Sequence, residues 1–340
     1  MKRIIQRITN RLRLHKNGVP LRASPTRPYT SMQRREILFR MLEKTQAAGN
    51  LLLPVNQIGE CLQARRGAIF LKHDIHGLDL KSLVGFAEEE SAMGIFGTYF
   101  FMAPNHPDTQ PYYDFPAQAK AMEEVQALGH EVGLHLDPYF LMQDYGQPLH
   151  QVMEGCLSTF RGLGMDVQSM NMHGNTQHKH RDKNGYGTSF ELFEEIARQP
   201  DFPALEAMHP SSAAIVRENR VRLKDYGIRF WADMPIWSAE LDYIVTNFIS
   251  DNGLAKTDQY ELLTHLETTN QYAISHYQPP GARNRSQPDK VIACEGQVNP
   301  GRLGNWKLPF ESADLQEIFS TKPFALQPAQ FLLHPQFYCD

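Results

Sequence analysis

Only four cysteines occur in this sequence, Cys61, Cys156, Cys294 and Cys339, and no two of them stand in a CxxC spacing. That argues against a cysteine zinc site and a disulfide framework, and it fits reduced thiols in a cytoplasmic protein. Long apolar runs are also missing. An uncharged stretch such as 91–107 is broken by Ser, Gly, Thr, Asn and Pro, so it is not suited to cross a bilayer. The N-terminus has no apolar segment of the kind a secretion signal needs. There is no GxSxG elbow, no GxxxxGKS/T phosphate loop and no GxGxxG turn after a strand. Internal repeats and low-complexity segments are absent as well. What is present is a chain of 340 residues, 41% hydrophobic and 21% charged, which can bury a sizeable core.

Acid is missing from the first 35 residues, which hold ten Lys or Arg. The other 24 basic residues then face all 38 acidic ones, and an acidic body of this kind does not suit a nucleic-acid partner. In the basic head, Ile4, Ile8 and Leu12 recur every four residues with Ile5 beside them, and Arg3, Arg7 and Arg11 form a neighbouring stripe. Such a helix either lies on an anionic membrane surface through residues 1–16 or packs on its own acidic domain. The prolines at 20, 25 and 28 make the following stretch a linker, so residues 1–30 stand apart from one domain over 31–340.

Within that domain, short apolar strands alternate with helices. Ser31 opens a helix that ends before Gly49, and further helices are expected over 79–93, 116–128 and 149–163. Strands are expected over 68–71, 98–102, 132–136 and 167–172, and again over 228–231, 243–249, 272–275 and 331–333. This alternation specifies βαβ units with a parallel sheet, and the number of strands favours a barrel over an open sheet. The stretch 278–305, rich in Pro and Gly, reads as an excursion from it. The run Tyr99, Phe100, Phe101 reads as core packing.

Fourteen histidines are present. His15, His106, His150, His178, His180, His209 and His265 fall in loops or on mixed helix faces and need no special explanation. Others follow strands: His73, Asp74 and His76 after the first, His135 and His173 at the ends of two more, and His334 after the last. Strand C-termini form one face of an α/β barrel, where active sites are built. Imidazoles with a carboxylate are the ligand set for a catalytic divalent ion, most naturally Zn²⁺. His130 opens its strand and reads as structural.

The segments KHDIHG at 72–77, GTYFFM at 97–102, GHEVGLHLD at 129–137, MHGN at 172–175, FISDNG at 248–253 and LLHPQFY at 332–338 together resemble the NodB-like polysaccharide deacetylase superfamily. The nearest likeness is to a divergent, non-secreted branch whose first motif reads RHDVD. The resemblance implies a distorted (β/α)7 barrel, here with an N-terminal helical extension, and metal-dependent removal of an N-acyl group from an amino sugar. It maps the general base to Asp74 and the general acid to His334. His76 stands where the family has a second Asp, and His135 is the first histidine of the family's second motif. That histidine's partner is replaced by Tyr139, and His173 is the best substitute ligand. The ligand set is then Asp74, His76 and His135, or His76, His135 and His173, or a degenerate pocket without metal. Asn175 and Asp251 are placed as substrate-binding residues. The partner implied is an amino-sugar or glycan substrate, nucleotide- or lipid-linked. Two other readings stay open, a hydrolase of small cyclic amides and a non-catalytic glycan-binding protein. Deleting residues 1–16 is expected to abolish co-sedimentation with anionic liposomes. Unchanged binding, or none by the full-length chain, ends the membrane reading.

Overall fold

The computed structural model describes residues 30–47, 49–59, 68–106, 109–173, 181–182, 185–186, 192–197, 210–232, 236–238, 243–245, 247–250, 261–266, 305–309 and 329–339. Its helices are α1 (Ser31–Ala47), α2 (Leu80–Ala92), α3 (Phe115–Ala127), α4 (Pro138–Tyr145), α5 (Leu149–Gly162), the single turn α6 (Glu194–Ala197) and α7 (Pro210–Asn219). The strands are β1 (Leu51–Leu53), β2 (Ala68–Ile75), β3 (Thr98–Met102), β4 (Glu131–Leu136), β5 (Ser169–Met172), β6 (Arg181–Asp182) and β7 (Gly185–Tyr186), then β8 (Phe230–Ala232), β9 (Ile236–Ser238), β10 (Tyr243–Val245), β11 (Asn247–Ser250), β12 (Glu261–Leu266), β13 (Asn305–Pro309) and β14 (Ala329–Leu333).

Local chemistry fixes where the helices begin. Thr30 and Gln33 form a capping box: the Gln33 amide donates to Thr30 Oγ1 at 3.2 Å, and the Thr30 amide donates to Gln33 Oε1 at 2.9 Å. An aspartate caps each of the next three, with Ser82 N donating to Asp79 at 2.8 Å, Ala117 N to Asp114 at 2.9 Å and Phe140 N to Asp137 at 3.2 Å. Gly94, Gly129 and Gly146, all at positive φ, then turn the chain away after α2, α3 and α4.

The main sheet runs in the order β10-β9-β8-β5-β4-β3-β2-β14-β11-β12-β13, with β1 alongside β2. From β8 through to β11 every neighbouring pair is parallel, while β8-β9-β10 and β11-β12-β13 are antiparallel. The expected strand over 243–249 is two strands instead. β10 lies on one flank of the sheet and β11 on the other, separated only by Thr246. Two peptide units span at most about 7 Å, so the sheet curls enough to bring the end of β10 near the start of β11. The fold is α/β, a curled parallel sheet with helices outside, in keeping with a partial (β/α) barrel. The expected strand over 272–275, the excursion 278–305 and the basic head lie outside the described residues.

Side chains alternate across each strand. Ile69, Leu71 and Ile75 of β2 join the large core under the helices, with Leu83, Phe86, Met122, Val125 and Phe160. Ala68 and Phe70 face the other way, into a small apolar plug with Val55, Ile58, Phe100, Phe230, Ala232 and Ile236. Polar side chains share that inner face with the plug, among them Lys72, Thr98 and Glu131. Gly133 lies on that face because a Cβ there would stand 2.5 Å from the Phe100 ring and 3.1 Å from the Ser169 carbonyl. Gly133→Ala should therefore lower stability by about 1–3 kcal/mol through overpacking, read as a reduced urea midpoint. A midpoint at the native value would mean that Phe100 gives way freely.

Candidate metal centre

β2 continues to Ile75, so His73 and Asp74 lie inside the strand and parity sends them to opposite faces. The sequence expectation that they follow the strand together is corrected by this. His73 faces the helices, with Nε2 3.1 Å from Glu90 Oε2 and its ring 4.2 Å from that of Tyr99. The Tyr99 hydroxyl donates to Glu90 at 2.7 Å. Burial works against the Glu90 carboxylate, but His73, His130 and the Tyr99 hydroxyl together outweigh this and hold its pKa below the usual value. Gly97 is required here, since a Cβ would come within 2.7 Å of His73 Nε2. His130 is structural: its Nδ1 accepts from Gly97 N at 3.1 Å and its Nε2 lies 2.9 Å from the Ala87 carbonyl.

Asp74 and His76 take the inner face and meet His135, His173 and His334. His135 lies in β4, while His173 directly follows β5 and His334 directly follows β14. The His76 ring is 5.2 Å from that of His135, 5.0 Å from His173 and 5.7 Å from His334, on which it stacks at 14°. Two compact sets of donor atoms result, His76 with His135 and His173, and Asp74 with His76 and His334, each with all atoms within 4.8 Å of one another. Either could hold a metal ion. A third set, His106 with Asp137 and His173, satisfies the same limit.

Asn171, which the sequence did not mark, organises the centre. Its Nδ2 donates to Asp74 Oδ1 at 2.6 Å and its Oδ1 lies 2.6 Å from His135 Nδ1. An ionised carboxylate accepts only, so the amide must turn its NH₂ to Asp74 and its oxygen to the imidazole. His135 therefore carries its proton on Nδ1 and presents a bare Nε2 lone pair. That nitrogen is buried, has no hydrogen-bond partner among the described residues and lies 4.0 Å from Asp74 Oδ2. Burial and then His173 push the His135 pKa well below the ordinary imidazole value, which keeps the lone pair available. Burial and His135 do the same to His76.

Beneath the cluster, Lys72 is buried and donates to the Ala232 carbonyl at 2.7 Å. Two strands away in register, Glu131 accepts from Thr98 Oγ1 at 2.6 Å, from Asn56 N at 3.0 Å and from Ser169 Oγ. Burial raises its pKa to about 7 against these bonds. Tyr139, four residues after His135, is packed in the outer core. Asn175 and Asp251 lie outside the described residues. His106 and Asp137 were missed as site candidates. Asp137 ends the quoted GHEVGLHLD segment and directly follows a strand, which was the available signal, whereas His106 lies in a loop with none. No family model, curated protein or solved structure matches this chain. Among the described residues, no helix is long and apolar enough to cross a membrane.

The buried groups set a pH dependence. His76, His135 and His130 all have lowered pKa values when folded. Below about pH 6.5 the unfolded chain binds protons that the folded chain refuses, so stability rises with pH through that window. Glu131 acts oppositely, since between the usual Glu value and about 7 the folded state holds the additional proton. Three imidazoles outweigh one carboxyl. The urea midpoint of the metal-free protein should fall between about pH 6.5 and 5, and Glu131→Gln should steepen that fall. A midpoint that rises on acidification would contradict this assignment.

Proposed function

We propose that this chain is a metal-dependent hydrolase that removes an N-acyl group, by class an acetyl, from an amino sugar during cell-surface polysaccharide biosynthesis. Its fold is then the distorted (β/α)7 barrel of the NodB-like deacetylases. The observation that carries the metal reading is the bare, buried Nε2 of His135, aimed among His76, His173 and Asp74 at the C-terminal ends of the strands. The step to an acylated amino sugar rests on the sequence resemblance. The substrate class suggested is a nucleotide- or lipid-linked sugar met in the cytoplasm.

Neutral imidazoles with a nearby carboxylate fit Zn²⁺, and His76, His135 and His173 would hold it. When bound there, the ion would acidify a water and polarise the acyl carbonyl. Asp74 would act as general base. Asn171 holds its Oδ1, which fixes the carboxylate while Oδ2 turns towards His135 and the centre. His334 would protonate the departing amine, and its stacking on His76 fixes the ring at the rim beside the ligands. The apolar plug below closes the inner face to water from that side.

His334→Ala should lower kcat by about 10²–10⁴-fold with metal content unchanged. His135→Ala should lose one equivalent of zinc and the activity with it, read by elemental mass spectrometry on protein purified without a His tag. Full activity in the first variant removes the acid assignment, and native metal content in the second removes His135 from the site.

A further inference from the structure

The third donor set, His106 with Asp137 and His173, shares no residue with the set of Asp74, His76 and His334. These six side chains form two groups of two histidines and one carboxylate that adjoin through His76 and His173, whose rings are 5.0 Å apart, with His135 beside both. Its ring lies 5.2 Å from that of His76 and 5.1 Å from that of His173.

The outer group has the donors and the spacing to hold a cation. Its members come from three adjacent strands: His106 from the turn after β3, Asp137 directly after β4 and His173 directly after β5. Relative exposure is 1% at His106 and 3% at Asp137. His173 Nδ1 lies 3.5 Å from Asp137 Oδ2, and donor atoms on a tetrahedral ion with bonds of about 2.0–2.2 Å are about 3.3–3.6 Å apart. Asp137 is divided between two tasks, since Oδ1 caps α4 and only Oδ2 faces the histidine. A carboxylate that merely oriented His173 would account for this pair. It would not account for the third donor: His106 is buried too, its ring 5.6 Å from that of His173 and 5.2 Å from that of Phe140, and one of its ring nitrogens lies within 4.8 Å of the donor atoms of both Asp137 and His173.

We propose that His106, Asp137 and His173 form a second divalent-cation position, so that the pocket is a two-ion centre. With His173 committed to the outer ion, the inner one keeps His76 and His135 and gains Asp74, whose Oδ2 is 4.0 Å from His135 Nε2. Asp74 and Asp137 then place one negative charge beside each cation. The nitrogen and oxygen donors suit zinc, cobalt or manganese in place of calcium or a soft monovalent ion. The second ion deepens the hydrolase reading and rests on it for its use, because paired ions clamp both oxygens of a displacement.

The test is a titration of the full-length metal-free chain with Co²⁺ and with Zn²⁺, followed by visible absorption and by elemental analysis after desalting. About two equivalents are expected, with His106→Ala, His106→Gln and Asp137→Ser each retaining about one. His135→Ala should also retain about one, which His135→Ala combined with His106→Ala then loses. Each variant's unfolding midpoint without metal, compared with the native chain, separates loss of a ligand from loss of fold. Saturation at one equivalent that disappears in His135→Ala and persists in His106→Ala overturns the second position and leaves the hydrolase reading standing. A native chain that binds no metal overturns both.

Discussion

The line Asp74–Asn171–His135 is the interaction on which the candidate centre depends. Two hydrogen bonds of 2.6 Å, both buried, join three strands across the inner face. With Asp74 as a carboxylate, which only accepts, their donors and acceptors can be arranged in one way only. One amide thus sets which imidazole nitrogen bears the proton, where the free lone pair points and which carboxylate oxygen stays available. Replacing such an amide leaves two buried polar groups unsatisfied at once, a loss worth more than the mean hydrogen bond. The histidine ring can hold still because its supporting shell does.

The interior changes character along the strands. Towards their N-terminal ends the apolar plug of Phe70, Phe100 and Phe230 shares the inner face with Lys72, Thr98 and Glu131, which stand side by side in register, and the histidines form the rim at the C-terminal ends. The buried polar groups have specific partners, Glu131 in Thr98, Ser169 and Asn56, and Lys72 in the Ala232 carbonyl. Gly133 shows how tight the stacking is, since one methyl group there would meet both an aromatic ring and a backbone carbonyl.

Much of this was legible in the sequence, for identifiable reasons. Helices opened by Thr30, Asp79 and Asp114 and turned off at Gly94 and Gly129 carry their own punctuation. The strands ending near His76, His135, His173 and His334 were visible as short apolar runs, which also located the rim. Parity along β2 was not visible until its length was known: with four more residues in the strand, His73 goes to the helices and Asp74 to the centre. Asn171 escaped notice because an amide inside an apolar strand has no chemical signature apart from its neighbours. His106 escaped because loops fold by tertiary contact. The segment over 243–249 looked like one strand because both pieces are apolar, and nothing local records that they belong to opposite flanks.

The nearness of β10 and β11 in sequence has a mechanical meaning. Val245 ends one strand and Asn247 begins the other, while the sheet order between them runs the long way round through β8, β5, β4, β3, β2 and β14. Residues two apart lie within about 7 Å of each other, so the sheet has to bend between those strands. That bend draws the C-terminal ends of the parallel strands together, and the histidines there come within ligand distance of one another as a consequence. A flat sheet with the same strand order would hold the same side chains too far apart to share an ion.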